Sequence, residues 1–358
     1  MLLVSLWFYI RMLIFAMLLF AAAGLAQEPL DIGKVAPGEA ASGFLEVPAG
    51  VDEGTRIPVT VARGATSGPV LAVLAGVHGY EYSPVLALQK LRGQIDPKRL
   101  AGTVILVHVA NMPSFLRRTI YYSPVDGKNL NRVFPGKADG TISERIAYAL
   151  TRQVIERADY LIDLHCGDGN ESLRPYAYWT QSGQPKVDEA SRQMVLAFGL
   201  DHIVIDADRP KDPAASVYSS NTAILRGKPA ITVESGGLGV IPGGYLAVDE
   251  SITLLERGVR NVLAFLQMLD EKPRYTAEQP VWLDKTEVLR SEHTGIWYPV
   301  VQKGHTVAAG TLLGILTDFF GKRLAEVRAP FAGEVLYVVY TPPINQGEPL
   351  AFIGHRQE

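Results

Sequence analysis

Between residues 55 and 270 the chain alternates short runs rich in Val, Ile and Leu with stretches of helical period, and the alternation stops at Lys272-Pro273. Strand, helix and strand in succession need crossover connections. Those connections lay strands side by side in parallel and put helices on the faces of the sheet. Residues 57–62, 70–75, 103–109, 159–164, 202–205 and 229–233 are strand-like. Residues 81–92, 143–157, 186–198 and 248–268 carry helical spacing, and residues 216–226 carry a weaker version of it. Val85, Leu86, Leu88 and Leu91 mark the apolar side of the first of these helices. Thr141-x-x-Glu144 matches a capping box, in which hydroxyl and carboxylate satisfy free N–H groups at a helix start. Residues 27–50 read as an extended lead-in. Residues 111–140 read as one long loop of Pro, Gly and Asn, and so long a loop inside a compact domain is usually functional.

From Val281 onward the helical period is gone, and short alternating runs are separated by Gly and Pro. The expectation is an α/β domain over residues 27–272, with a mixed, mostly parallel sheet flanked by helices, and a small all-β domain over residues 280–358. Residues 307–310 and 329–335 resemble the half-motifs of biotinyl/lipoyl-type β domains. Lys322 is flanked by Phe320-Gly321 and Arg323, which is not the pattern carrier domains modify, so no covalent biotin or lipoate is expected.

Residues 1–26 have the form of an export signal. An apolar stretch follows Arg11 and ends in the small-residue site Gly24-Leu25-Ala26. Cleavage after Ala26 would release a chain beginning Gln27, outside the cytoplasm in the periplasm or medium and without stable membrane insertion; the alternative is that the segment is kept as a membrane anchor. The 34 Lys and Arg against 37 Asp and Glu give a net charge of −3, which argues against a nucleic-acid partner. Cys166 is the one cysteine. It cannot form an internal disulfide or a multi-thiolate zinc site, so any metal here is held by His, Asp or Glu.

The residue types for such a site stand at strand ends. Residues 70–75 run into Gly76-Val77-His78-Gly79-Tyr80-Glu81, and residues 160–164 run into His165. In α/β proteins that edge is where ligand sites are built. Two His and one Glu form a three-donor set that leaves zinc an open position for water. Asp163, two residues before His165, shares its strand face and is placed to orient that ring or to bond elsewhere. Glu234 ends a third apolar run before Gly236-Gly237. A carboxylate there is a general base, a further ligand or an acceptor for the glycine loop. Arg132, beside Asn131 in the long loop, is a solvated residue or a bidentate fork for a substrate carboxylate. Cys166 reads as a packing residue, and Tyr245 as packing or surface.

Four segments taken in order resemble the succinylglutamate desuccinylase/aspartoacylase family, which is related to zinc carboxypeptidases. They are Gly76-Val77-His78-Gly79-Tyr80-Glu81, Asn129-Leu130-Asn131-Arg132-Val133-Phe134-Pro135-Gly136, Asp163-Leu164-His165 and Thr232-Val233-Glu234-Ser235-Gly236-Gly237. The resemblance implies one zinc per chain on His78, Glu81 and His165, Glu234 as general base, and Arg132 with Asn131 near a substrate carboxylate. It implies amide hydrolysis of a small N-acyl amino acid or related carboxylate. A carboxypeptidase-like action on short peptides and a non-catalytic binding protein are the alternatives. A further substrate arginine is also expected, with Arg117, Arg118, Arg174 and Arg226 as candidates.

Overall fold

Residues 71–75 are buried at every successive position, as a strand covered on both faces must be. The computed structural model describes residues 29–239, 249–275 and 279–357. The expected export segment and Tyr245 lie outside these residues.

Strands β1 (Glu39–Val47), β2 (Thr55–Arg63) and β3 (Thr66–Leu74) lead into helix α1 (Tyr82–Arg92). Strand β4 (Ala101–Val107), the short α2 (Met112–Arg117) and α3 (Ile142–Gln153) follow. Next come β5 (Tyr160–Gly167), β6 (Glu171–Leu173), β7 (Tyr176–Thr180), α4 (Pro185–Phe198) and β8 (His202–Asp206). Helix α5 (Ser219–Ile224), β9 (Ala230–Gly237) and α6 (Glu250–Phe265) close the α/β part. The C-terminal region contributes β10 (Val281–Arg290), β11 (Gly295–Pro299), β12 (Thr306–Val307), β13 (Leu312–Thr317), β14 (Arg323–Arg328), β15 (Gly333–Val339), β16 (Pro343–Ile344) and β17 (Pro349–Arg356).

The main sheet runs β1-β2-β4-β3-β5-β9-β7-β8-β10-β17-β15-β12, with β6 paired to β15. It is mixed. The centre, β4-β3-β5-β9, is parallel, as are β7-β8 and β8-β10. Strands β1, β2, β17, β15 and β12 pair antiparallel, and so does β7 with β9, so parallel pairing is less extensive than the sequence predicts. Strand β1 lies within the expected lead-in. It buries only Gly43, Leu45 and Val47, one face of an edge strand, and its Ala-Ala-Ser-Gly run lacks the β-branched residues that mark strands.

Alternation in the central strands divides the core. Leu71, Val73, Ile162 and Leu164 face α1, α4 and α6, packing with Leu88, Val195 and Val259. Ala72, Leu74 and Leu161 face the other way, toward Ile146 and Leu150 of α3 and Ile224 of α5. The capping box forms, with the Thr141 N–H donating to Glu144 Oε2 at 3.0 Å. No helix among the described residues is long and apolar enough to cross a membrane.

The C-terminal strands continue the main sheet. Val281–Leu283 pair in parallel with His202–Val204, and β15 pairs with β6. Four remaining strands form a second sheet, β14-β13-β11-β16. Glu334 on β15, 1% exposed, clamps the join. It pairs with Arg174 between β6 and β7, with Arg356 at 2.6 Å, and with His202 Nε2 at 3.2 Å. Arg174 also pairs with Asp201 at 2.9 Å.

Burial opposes ionisation of Glu334, yet the bonds from His202 and Arg356 and the charge of Arg174 hold its carboxyl down at about 2. A depressed carboxyl stabilises the fold above its ordinary value of 4.5 and loses that contribution as pH falls through 2. Glu334→Gln therefore destabilises by about 3 kcal/mol at pH 7, because it removes the charge that Arg174, His202 and Arg356 share. The difference from the parent is flat above pH ~5 and shrinks toward pH ~2, which denaturant unfolding across that range measures.

Candidate active site

Strands β3, β5 and β9 are adjacent and parallel, so their carboxyl ends open on one edge of the sheet. His78 follows β3, His165 lies two residues before the end of β5, and Glu234 is the direct register partner of His165 on β9. Glu81 comes from the turn that enters α1. Its Oε2 accepts the His78 backbone N–H at 2.9 Å, which closes that turn. The turn needs Gly79, because a Cβ there would stand 2.4 Å from the Thr119 carbonyl oxygen and 2.5 Å from that of Ser114. Beyond Glu234 the chain turns at Gly236 with φ of 98°, a left-handed value that suits glycine.

Glu81 Oε1 lies 2.7 Å from His78 Nδ1 and 2.7 Å from His165 Nδ1. One ligand atom from each of the three residues falls within 4.8 Å of the others. The far nitrogens are engaged: His78 Nε2 lies 3.1 Å from Asn129 Oδ1, and His165 Nε2 lies 3.0 Å from Asp163 Oδ2. Those acceptors hold the ring protons on Nε2 and leave both Nδ1 atoms as donors toward a cation. Burial opposes ionisation of Glu81, but His165 and His78 outweigh it and hold the carboxyl well below the usual range. Burial likewise opposes charging of His165, and Asp163 and Glu81 overcome it. A buried set of two imidazole nitrogens and one carboxylate oxygen, with cationic charge favoured between them, fits a zinc ion.

A cavity of about 320 Å³ opens over these groups. Its wall includes His78, Glu81, His165, Glu234 and Arg132, together with Tyr121, Asp168, Glu171, Tyr178 and Cys166. Val288, Arg290, Tyr337 and Pro349 of the C-terminal region complete it. Burial raises the Glu234 carboxyl well above the ordinary range, with His165 opposing. Burial also raises the Cys166 thiol, so it stays protonated and inert. Arg132 donates from Nη1 to the Asn131 carbonyl at 2.7 Å and stacks 4.7 Å over the Tyr218 ring, on which Arg209 also stacks at 3.9 Å. Asn131 is buried. Its Oδ1 accepts the Ser219 N–H at 3.0 Å, so it braces the loop against the start of α5. Asp163 also accepts from the Ser219 hydroxyl.

None of the four arginines considered from the sequence lines this cavity. Arg174 belongs to the Glu334 clamp, Arg226 caps the turn after α5 and approaches Glu156, Arg117 lines a different surface cavity, and Arg118 ends α2. Arg290 does line it, from β10. Nothing local in the sequence marks Arg290, because its position depends on β10 joining the sheet. Asn170, in a glycosylation-type triplet, is buried, with Oδ1 3.0 Å from the Tyr121 hydroxyl, whose proton is nearer to Glu171 Oε1 at 2.6 Å.

Residues 67–266 match the family model of the succinylglutamate desuccinylase/aspartoacylase catalytic domain. The chain belongs to this family. It is 30% identical over 327 residues to the N-alpha-acetyl-L-2,4-diaminobutyric acid deacetylase of Halomonas elongata, covering 87% of this chain and 90% of the relative. The product-bound ectoine utilization protein EutE (DoeB) from Ruegeria pomeroyi superposes with a TM-score of 0.78 at 26% identity, over 92% of this chain and 99% of that one. A succinylglutamate desuccinylase from a Silicibacter species gives 0.77 at 26% identity, over 90% and 98%. Membership places the chain among the deacylases of this family, and the match spans β3 to α6, the segment that carries both histidines, Glu81 and Glu234.

Two substitutions separate ligand from orienting residue. His165→Ala abolishes stoichiometric zinc in the purified, folded protein. Asp163→Asn keeps the ligand and weakens zinc binding by about 10–100-fold, as competition with a chromophoric chelator measures.

Proposed function

We propose that this protein is a zinc-dependent hydrolase that cleaves the amide bond of an N-acyl amino acid. The observation that carries the reading is the convergence of His78 and His165 on one Glu81 oxygen, with Glu234 beside His165 on the same cavity wall. The metal ligands are His78, Glu81 and His165. Bound zinc lowers the pKa of water and polarises a carbonyl.

The remaining steps belong to the chain's own groups. The Glu234 carboxylate takes a proton from the attacking water and returns it to the leaving nitrogen, so amide and water become a carboxylate and an amine. Its raised affinity for a proton, caused by burial, suits a group that holds one between the two transfers. Arg132 pairs with the carboxylate of the amino acid. Asn131 and the Tyr218 ring fix its guanidinium in place, and the planar fork is complementary to a carboxylate. The related deacetylase removes an acetyl group, and acetyl on a free amino acid is the first substrate to test. The order of the motifs and the strand-end ligands support descent from a zinc-carboxypeptidase-like fold. The pattern of residues 1–26 supports export, and the C-terminal strands form the outer wall of the substrate cavity.

Glu234→Gln preserves shape but cannot accept the proton. It keeps zinc and loses about 10²–10⁴-fold in kcat. Loss of zinc in that variant would make Glu234 a ligand, and a near-normal kcat would place the base elsewhere. Arg132→Lys keeps the charge and loses the fork, so KM for an N-acetyl amino acid rises while kcat changes little. Steady-state kinetics on N-acetyl amino acids, with short peptides in parallel, read both effects, and faster cleavage of the peptides would favour the carboxypeptidase-like action.

A further inference from the structure

The hairpin of β13 and β14 carries two adjacent phenylalanines at its tip that the fold does not cover. Phe319 is 70% exposed and Phe320 97%, and no residue of the hairpin lines the catalytic cavity. Leu324, near the start of β14, is exposed as well. The turn holds its shape through its own bonds. Asp318 Oδ1 accepts the backbone N–H groups of Phe320 and Lys322 at 2.9 Å each. The Asp318 N–H donates to the Lys322 carbonyl at 2.9 Å, and the Gly321 N–H donates to the Asp318 carbonyl at 3.2 Å. An aspartate bonded to amides further along the chain fixes such a turn, so the two rings stand outward instead of folding back. The tip is a fixed apolar projection, and leaving it in water is unfavourable.

Cations surround this projection. Lys322, Arg323 and Arg328 are all exposed, and Lys322 forms no ion pair among the described residues. The two acids of the hairpin are engaged within it, Asp318 by the turn amides and Glu326 by Arg323 and Arg328. Three cations against two acids leave the hairpin positive in a chain whose net charge is −3. Two phenyl rings bury about 300–500 Å² at most, short of the roughly 800 Å² per partner of a stable protein interface. A bilayer sets no such minimum and receives a convex tip. Aromatic rings enter the boundary between headgroups and acyl chains, and Lys and Arg beside them pair with anionic headgroups.

We infer that the Phe319-Phe320 tip is a peripheral membrane-docking element whose partner is an anionic bilayer surface. Two side chains and a few cations give reversible attachment, not a spanning segment. The residues involved lie apart from the hydrolytic site, so the inference stands whatever that site cleaves.

The test sediments the full chain with vesicles of equal parts phosphatidylglycerol and phosphatidylcholine, and with vesicles of phosphatidylcholine alone. The parent should partition onto the anionic vesicles, and the double variant Phe319→Ser/Phe320→Ser should lose about 10–100-fold of that partitioning. Both positions are exposed, so the double variant should unfold at the temperature of the parent, which separates lost binding from lost fold. Lys322→Gln should weaken partitioning onto the anionic vesicles about fivefold and leave the phosphatidylcholine arm unchanged. Residues 1–26 are themselves largely apolar, so a second measurement reads the tip alone. In Phe320→Trp, the indole emission added over the parent should be quenched by brominated acyl chains. Emission that bromine leaves unquenched would overturn the assignment, as would equal partitioning of the parent and the double variant. A parent that is dimeric by light scattering beside a monomeric double variant would assign the tip to a second copy of the chain, and would overturn it too.

Discussion

Glu81 Oε1 stands 2.7 Å from an imidazole nitrogen of each of two histidines, and all three side chains lie in or near the protein interior. Groups that could each be solvated are held instead in a dry cluster, which is unfavourable unless every remaining polar atom is satisfied. The surroundings supply most of those bonds, and Asp163 Oδ1 is left without a partner among the described residues. Asn129 and Asp163 take the outer ring nitrogens, the His78 backbone takes the second Glu81 oxygen, and Ser219 bonds both Asp163 and Asn131. Three parallel strands with fully buried residues fix the positions from which these side chains project. The cluster depends on the sheet for its geometry and on its polar collar for its chemistry.

The segment that matches the family model ends at residue 266, but the cavity does not. Val288, Arg290, Tyr337 and Pro349 close it from the C-terminal region, and Glu171 reaches it from a strand paired with that region. The Glu334 ion cluster and the β8–β10 pairing hold the two parts in register. His78, Glu81, His165 and Glu234 come from the α/β part, and much of the opposite cavity wall comes from the join.

Most of the central sheet is legible in the sequence because its strands are unbroken apolar runs, and His78, His165 and Glu234 stand where those runs stop. Asp163 is legible as an orienting group because i and i+2 share a strand face. Strand β1 escapes because its Ala-Ala-Ser-Gly run carries no strand signal, and β6 and β7 escape because they are short, three and five residues long. Arg290 and Glu171 are ordinary polar residues in sequence. Their places on the cavity wall come from strand pairings between distant segments, which no local pattern encodes. Asn131 shows the converse: its motif is visible, but its amide bonds to Ser219 and approaches His165, which only the fold reveals.

The central claim is that two imidazoles and one carboxylate form a metal centre and that the adjacent Cys166 takes no part. X-ray absorption at the zinc edge of the reconstituted protein reads the coordinating atoms directly. The account predicts two nitrogen scatterers with the multiple-scattering signature of imidazole, at about 2.0–2.1 Å, and oxygen at about 2.0–2.2 Å. A sulfur scatterer at about 2.3 Å, or fewer than two imidazoles on the bound zinc, would contradict it.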